Sequence, residues 1–373
     1  MKYTLTCLLA LSTVLAFSQQ KHKTENVIIV TYDGFRWQEV FTGANKKLIE
    51  DTGFVGNVKT LKDQFWADDA QQRREKLMPF FWGTIAKQGT IIGNRLEGAK
   101  MNLSNRYRFS YPGYNEIFTG NHDRRINSND YPDNPNLNIF DLLQQQPQFK
   151  DRLAAFATWD AFPKILNSHR NSVPVFVNFK TENGITSCNG VTCTTWKTTV
   201  PEKDVFAETD TMTYHFAKEY LYANHPRVAF IGFDETDHFA HEGEYDAYLN
   251  TANMLDRYMQ DLWTFLQNDP QYKDKTTLIL TCDHGRGSLL RGRWQHHGVL
   301  AQRSRGVWMA IMGPDTPANG ELKNQKKKVY HKQIAATIAE LLDVKFFDSN
   351  KLGKPIEMVT TKQAMPTAAQ TQK

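Results

Sequence analysis

The stretch TLILTCDHGRG, residues 277–287, runs from unbroken apolar and β-branched residues straight into Asp283, His284 and glycine. An apolar run of this length, bounded by a turn signal, reads as a buried parallel strand. Its end delivers a carboxylate and an imidazole side by side where the chain turns away. Two further runs close the same way. NVIIVTYDGFRW (26–37) ends at Asp33, and RVAFIGFDETDH (227–238) leads into Asp237, with His241 four residues beyond. WQHHG (294–298) adds His296 and His297 just ahead of another apolar run, GVWMAIMGP (306–314).

Between these strands lie helical patterns. Residues 61–89 read as mostly helical, followed by a strand at TIIGNR. YPGYNEIFTG reads as a helix with proline in its first turn and glycine at its end. FDLLQQQ and LAAFATWD read as helix then strand. Residues 245–267 form a long helix with apolar spacing of three and four, and HKQIAATIAELLDV (331–344) a last one. Strands alternating with helices, with acids and histidines at the strand ends, predict a doubly wound α/β fold. Its site should lie at the carboxyl edge of the sheet.

The chain has 373 residues, 40% hydrophobic and 23% charged, an ordinary globular composition. A formal charge of +5 with no basic block excludes a nucleic-acid-binding surface from the expectation. Residues 1–18 predict a signal peptide: Lys2, then the apolar LTCLLALSTVLAF, then AFS before Gln19. The expected location is therefore secreted or periplasmic. The apolar run is too short to stay as a membrane span, and the surroundings of Cys7 do not predict a lipid anchor. Residues 19–373 read as one domain, with a possible cap insertion at 167–205 and a disordered tail at 360–373. In an oxidising compartment Cys188 and Cys193 of CNGVTC are expected to bridge, with two free thiols as the alternative. Cys282 reads as a buried small hydrophobe.

Carboxylates and imidazoles in this number suit zinc or a similar divalent ion, and there are about enough ligands for two. Paired ions stabilise the attacking and leaving oxygens of phosphoryl transfer. Ser110, at the head of the YPGYNEIFTG helix, is the candidate nucleophile. A metal ion on its oxygen would lower its pKa, and the helix N-terminus favours an anionic group there. Taken singly, Ser110 is a helix cap, Asp33 a loop acid and His284 an edge histidine; the matched set moves them to chemistry.

With these motifs in order, the chain resembles the alkaline phosphatase superfamily, and within it the type I phosphodiesterase/nucleotide pyrophosphatase group. YDGFR, SYPGYNEIFTG, DETDHFAH, TCDHG and HHG followed by MAIMGP carry the likeness, which spans most of residues 25–345. The resemblance implies a three-layer α/β/α sandwich with a mostly parallel central sheet. It also implies a phosphoric ester hydrolase with two divalent ions, expected to be Zn2+. Asp237, His241 and His297 would hold one. Asp33, Ser110, Asp283 and His284 would hold the other, with Ser110 as nucleophile through a phosphoserine intermediate. Asn129 of RRINSND would contact the phosphate, with Asn127 as the alternative.

The chain departs from the pattern at several places. The group's Thr-Phe-Pro-Asn is Ser110-Tyr111-Pro112-Gly113 here, and the Lys-Asp-Arg of monoesterases is Trp159-Asp160-Ala161. Arg36, Arg124 or Lys164 could stand in for the missing cations. Tyr114 occupies the position of the sulfatases' arginine. Tyr111 and Tyr114 read as packing residues. Asp234 and Glu235 read as solvated or supporting acids, and His122, His169, His238 and His296 as surface or supporting histidines. The expected substrate is a small phosphate ester, a diester ahead of a monoester. A sulfatase or phosphomutase on the same scaffold is the enzymatic alternative, and a zinc-binding protein without turnover the non-enzymatic one.

Overall fold

The computed structural model describes residues 22–360, apart from 178–179, 183–184, 189–190, 193–207 and 289. Three strands form its centre: Thr276–Thr281, Asn26–Tyr32 and Val228–Phe233, adjacent and parallel, with Asn26–Tyr32 in the middle. Every residue of all three is buried. Successive strand side chains point to opposite faces, so complete burial means that both faces are covered. This is why the runs read as continuous rather than alternating. The expected α/β fold with a large, mostly parallel sheet holds.

The sheet has eight strands. On one side of the central three come Leu153–Ala157 and Val175–Phe176, both parallel. On the other side Met309–Met312 pairs antiparallel with Thr276–Thr281, then Thr90–Ile92 and Gly320–Glu321 complete the sheet. The expected strand 306–314 is split at Trp308. Gly306–Val307 pairs with Met101–Asn102 in a separate small sheet, while the Trp308 indole is buried and donates to the Phe35 carbonyl at 2.9 Å. Among the described residues, the helical elements between this segment and Thr276–Thr281 are the short 3₁₀ turns Leu290–Gln295 and Gln302–Arg305. Without a crossover helix the chain returns antiparallel.

The helical stretch expected at 61–89 is three pieces: Val58–Phe65, Ala70–Leu77 and Phe81–Ile85 continuing as Ala86–Gln88. Asn57 and Asp69 start the first two by accepting the Thr60 and Gln72 amides. The Phe80 and Phe81 amides at the head of the third go to Asp256, at 2.7 and 2.9 Å. Asp256 sits buried on the long helix Tyr245–Asn268. Burial pushes its carboxyl up to about 7, against the two amides that favour the anion. A carboxyl that binds its proton more tightly folded than unfolded contributes stability that is full below its unfolded pKa and is lost as pH rises through its folded one. Thermal melts should show Asp256→Asn flattening the fall of stability between about pH 4 and 7, a slope of about 1 kcal/mol per pH unit for one group. An unchanged slope would refute the assignment.

Within the segment 167–205, Ser168–Asn171 is helical and Val175–Phe176 is the edge strand of the main sheet. Lys180–Glu182, Ile185–Cys188 and Val191–Thr192 form a small antiparallel sheet. The signal peptide, Cys193 with its expected bridge, and residues 361–373 of the tail lie outside the described residues. Cys282 is fully buried, as expected. Among the described residues no helix is long and apolar enough to cross a membrane.

Candidate active site

The register of the central strands sets the site. Thr31 pairs with Thr281, and Tyr32 with Phe233. The residues that follow, Asp33, Asp283–His284 and the helix Glu235–Glu242, therefore leave the sheet side by side. That helix puts Asp237 and His241 one turn apart on one face.

The helix Ser110–Thr119 ends in Gly120, left-handed at φ 69°, which closes it on Glu116. At its other end Gly113 faces the strand loop: a Cβ there would stand 2.4 Å from the Asp283 carbonyl oxygen. In this chain the close approach of helix and strand loop leaves no room for a side chain at position 113. Ser110, 5% exposed, then brings its Oγ to 3.2 Å from His284 Nε2. The Asn129 side-chain oxygen accepts the Tyr111 amide at 3.0 Å, beside Ser110.

Asp33 and Asp283 are both buried, and each is half-tied. Asp33 Oδ2 accepts the Tyr114 hydroxyl at 3.1 Å, and Asp283 Oδ1 accepts the Gly34 amide at 3.0 Å. Their other oxygens, Asp33 Oδ1 and Asp283 Oδ2, have no hydrogen-bond partner. Both lie near His284 Nε2, at 3.4 and 3.5 Å. His284 Nδ1 faces the Gly285 carbonyl at 3.1 Å, which can only accept, so the proton sits on Nδ1. Nε2 then turns a lone pair toward the two bare carboxylate oxygens. Three acceptors converge, buried; the Ser110 hydroxyl can donate to Nε2, but nothing donates to the two carboxylate oxygens. That is an arrangement costly without a cation and suited to one. The electrostatics agree: burial and the neighbouring Asp283 and Asp237 push Asp33 well above the carboxylate range, and burial takes Asp283 to about 7. Burial and His297 hold His284 well below the usual imidazole value.

Asp237, His241 and His297 lie on the open side. His297 Nε2 is 3.0 Å from His241 Nε2, and His241 Nε2 is 3.1 Å from Asp237 Oδ2. His297 Nδ1 points at the Arg108 carbonyl, again leaving Nε2 free to ligate. Burial takes His297 to about 4. Two groups of three fall within reach of one ion: Asp33, Asp283 and His284, and Asp237, His284 and His297. All eight residues expected from sequence thus gather at one edge of the sheet. Ser110, Asn129, Asp237 and His241 open into a cavity of about 550 Å³, which Trp159, Asp160, Lys164, Asp130, Asp234 and His238 also line.

Several sequence readings are revised. Tyr114 is more than packing, since it holds Asp33. Asp234 and His238 face the cleft. Arg36 is consumed in a buried pair with Glu39, and Arg124 is not among the lining residues, which leaves Lys164 as the stand-in cation that reaches the cleft. Arg286 was missed. It is buried, its guanidinium pairs with Asp237, and it donates to the Trp294 carbonyl at 3.0 Å and to the Gln295 carbonyl. Gly34, at φ 59°, makes room for this pair: a Cβ would stand 2.4 Å from Asp237 Oδ1 and 2.5 Å from the Arg286 Nη1. An arginine between two glycines directly after Asp-His was the available signal.

A mostly parallel sheet with a helix-borne serine and converging acids and imidazoles at its carboxyl edge defines an alkaline phosphatase-like hydrolase. The chain belongs to the type I phosphodiesterase / nucleotide pyrophosphatase family, whose model matches residues 42–373, and is a hydrolase acting on phosphoric esters. Among solved structures it is similar to the alkaline phosphatase PafA, at 12% identity and TM-score 0.57, over 92% of this chain and 100% of that one. It is also similar to the phosphonate monoester hydrolase of Agrobacterium radiobacter, at 13% identity and TM-score 0.58, over 90% and 77%. Murine ectonucleotide pyrophosphatase / phosphodiesterase 5, solved inactive with AMP, matches at 13% and TM-score 0.52, over 88% and 97%. At these identities the likeness is one of fold. No curated protein sequence matches the chain.

Proposed function

We propose that the protein is an exported phosphodiesterase, released by cleavage after Ser18, that works with two divalent ions, zinc by the chemistry of the donors. The observation that carries this is Ser110 Oγ at 3.2 Å from His284 Nε2, beside two buried carboxylate oxygens that nothing else satisfies. Asp33, Asp283, His284 and Ser110 would hold one ion, and Asp237, His241 and His297 the other. Bound ions supply neutralisation of negative charge on the serine and leaving oxygens.

Ser110 provides the oxygen that displaces the leaving alcohol from phosphorus. The bond from phosphorus to Ser110 forms as the bond to the alcohol breaks, the serine proton leaving with the alcohol; water then attacks phosphorus, the bond to Ser110 breaks, the serine regains a proton and a phosphomonoester is released. The Asn129 amide nitrogen, left over when its oxygen takes the Tyr111 amide, would donate to a phosphoryl oxygen. Tyr114 holds Asp33 in register with His284.

The cleft favours diesters. Among the described residues that line it, Lys164 is the single lysine or arginine, against Asp130, Asp160 and Asp234, with Asp237 already paired to Arg286. Such a wall repels a dianionic monoester more than a monoanionic diester. Comparing kcat/KM on aryl diesters and aryl monoesters tests this, and a large monoester preference would overturn it. Lys164→Ala should depress monoester kcat/KM about tenfold more than diester kcat/KM, the size of one lost charge-assisted hydrogen bond. Equal losses on both substrates would remove Lys164 from phosphate recognition. N-terminal sequencing of the exported protein tests cleavage after Ser18.

A further inference from the structure

The two halves of the site differ in what they hold before any ion arrives. On the inner side Asp33 Oδ1 and Asp283 Oδ2 are bare, and both residues are shut away from solvent. On the outer side nothing is left bare. Asp237 Oδ1 meets the Arg286 guanidinium and Asp237 Oδ2 meets His241. The sides also differ in access. The Asp33, Asp283 and His284 side chains are at most 2% exposed, whereas His241 is 38% exposed.

We propose, resting on the two-ion reading above, that the ion positions are unequal and fill in order, because Arg286 is a resident cation that already neutralises Asp237. The inner position, Asp33, Asp283 and His284, binds first and tightly, since an ion there satisfies two buried orphan oxygens. The outer position, Asp237, His241 and His297, binds second and weakly. Its carboxylate is shared with a guanidinium that cannot lose its proton, and the incoming ion meets that fixed positive charge. Arg286 also ties the 294–295 backbone to Asp237. The ligand loop that carries His297 is thereby held in place before the second ion arrives. Arg286 is a positioning residue.

The test is a zinc titration of chelator-stripped full-length protein against a chromophoric competitor, with no turnover in the readout. Two classes of site should appear, at least about tenfold apart, the scale of one unit charge within several ångströms at an effective dielectric of about 20. His241→Ala, an exposed change, should remove the weaker class and spare the tighter. Asp283→Asn should remove the tighter. Arg286→Gln should strengthen the weaker class by about tenfold or more. Thermal melts of each variant report folding, and if Arg286→Gln does not fold, the His241→Ala and Asp283→Asn titrations still decide the order. Indistinguishable affinities in the parent protein, loss of the tighter class in His241→Ala, or an unmoved weaker class in folded Arg286→Gln would each overturn the proposal. Ester turnover by the zinc-saturated protein is a separate measurement. Two graded classes without turnover would sink the functional reading and leave this one standing.

Discussion

Ser110→Ala should lower kcat on an aryl phosphodiester by at least about a thousandfold, with bound zinc and the thermal midpoint close to those of the parent protein. Ser110 makes one contact to the ligand set, its Oγ to His284 Nε2 at 3.2 Å. The inner carboxylates and the imidazole remain without it. Alanine is also the best helix former, so the first turn of Ser110–Thr119 survives. The loss therefore falls on chemistry. Steady-state kinetics beside metal analysis of the same sample decide the matter. Residual turnover within about tenfold of the parent would mean that Ser110 is not the nucleophile, because displacement of a true nucleophile costs far more.

Removing metal should have a comparable effect on activity and an additional one on stability. Stripping the protein with a chelator should abolish ester turnover, at least about a thousandfold, and adding zinc back should restore it. The stripped protein should also melt lower. A ligand that binds only the folded state stabilises it by about 4 kcal/mol when present at about a thousand times its dissociation constant. Asp283→Asn should reproduce the loss of activity, and zinc at stoichiometric concentration should not rescue it. Asp283 has one oxygen on the Gly34 amide and the other bare, and the amide of asparagine would turn a neutral donor or a weaker acceptor toward the ion. A stripped protein that keeps full activity would end the metal reading and leave Ser110 with His284 alone.

The local part of this site was legible in sequence because strand ends are local. An apolar run that stops in Asp33, or in Asp283 and His284, announces both the strand and the group it delivers. The four-residue step from Asp237 to His241 announces a helix face. The choice of His297 over His296 came from its place directly before Gly298. The order of the strands was not legible, nor the return of Met309–Met312 antiparallel to Thr276–Thr281, because pairing partners lie far apart along the chain. The split at Trp308 depends on an indole that finds the carbonyl of Phe35, 273 residues away.

From sequence alone came the candidate ligands, the serine at a helix head and the α/β class, carried by periodicity, by neighbours within a few residues and by the family resemblance. Tertiary structure decided which oxygen of each carboxylate is tied and which is bare, that Tyr114 braces Asp33 across 81 residues, and that Arg286 meets Asp237 across 49. It also decided that Arg36 is spent on Glu39 while Lys164 reaches the cleft. The physical reason is one of range. A residue type states what a side chain can donate or accept, but whether that capacity is already satisfied depends on atoms brought near by the fold.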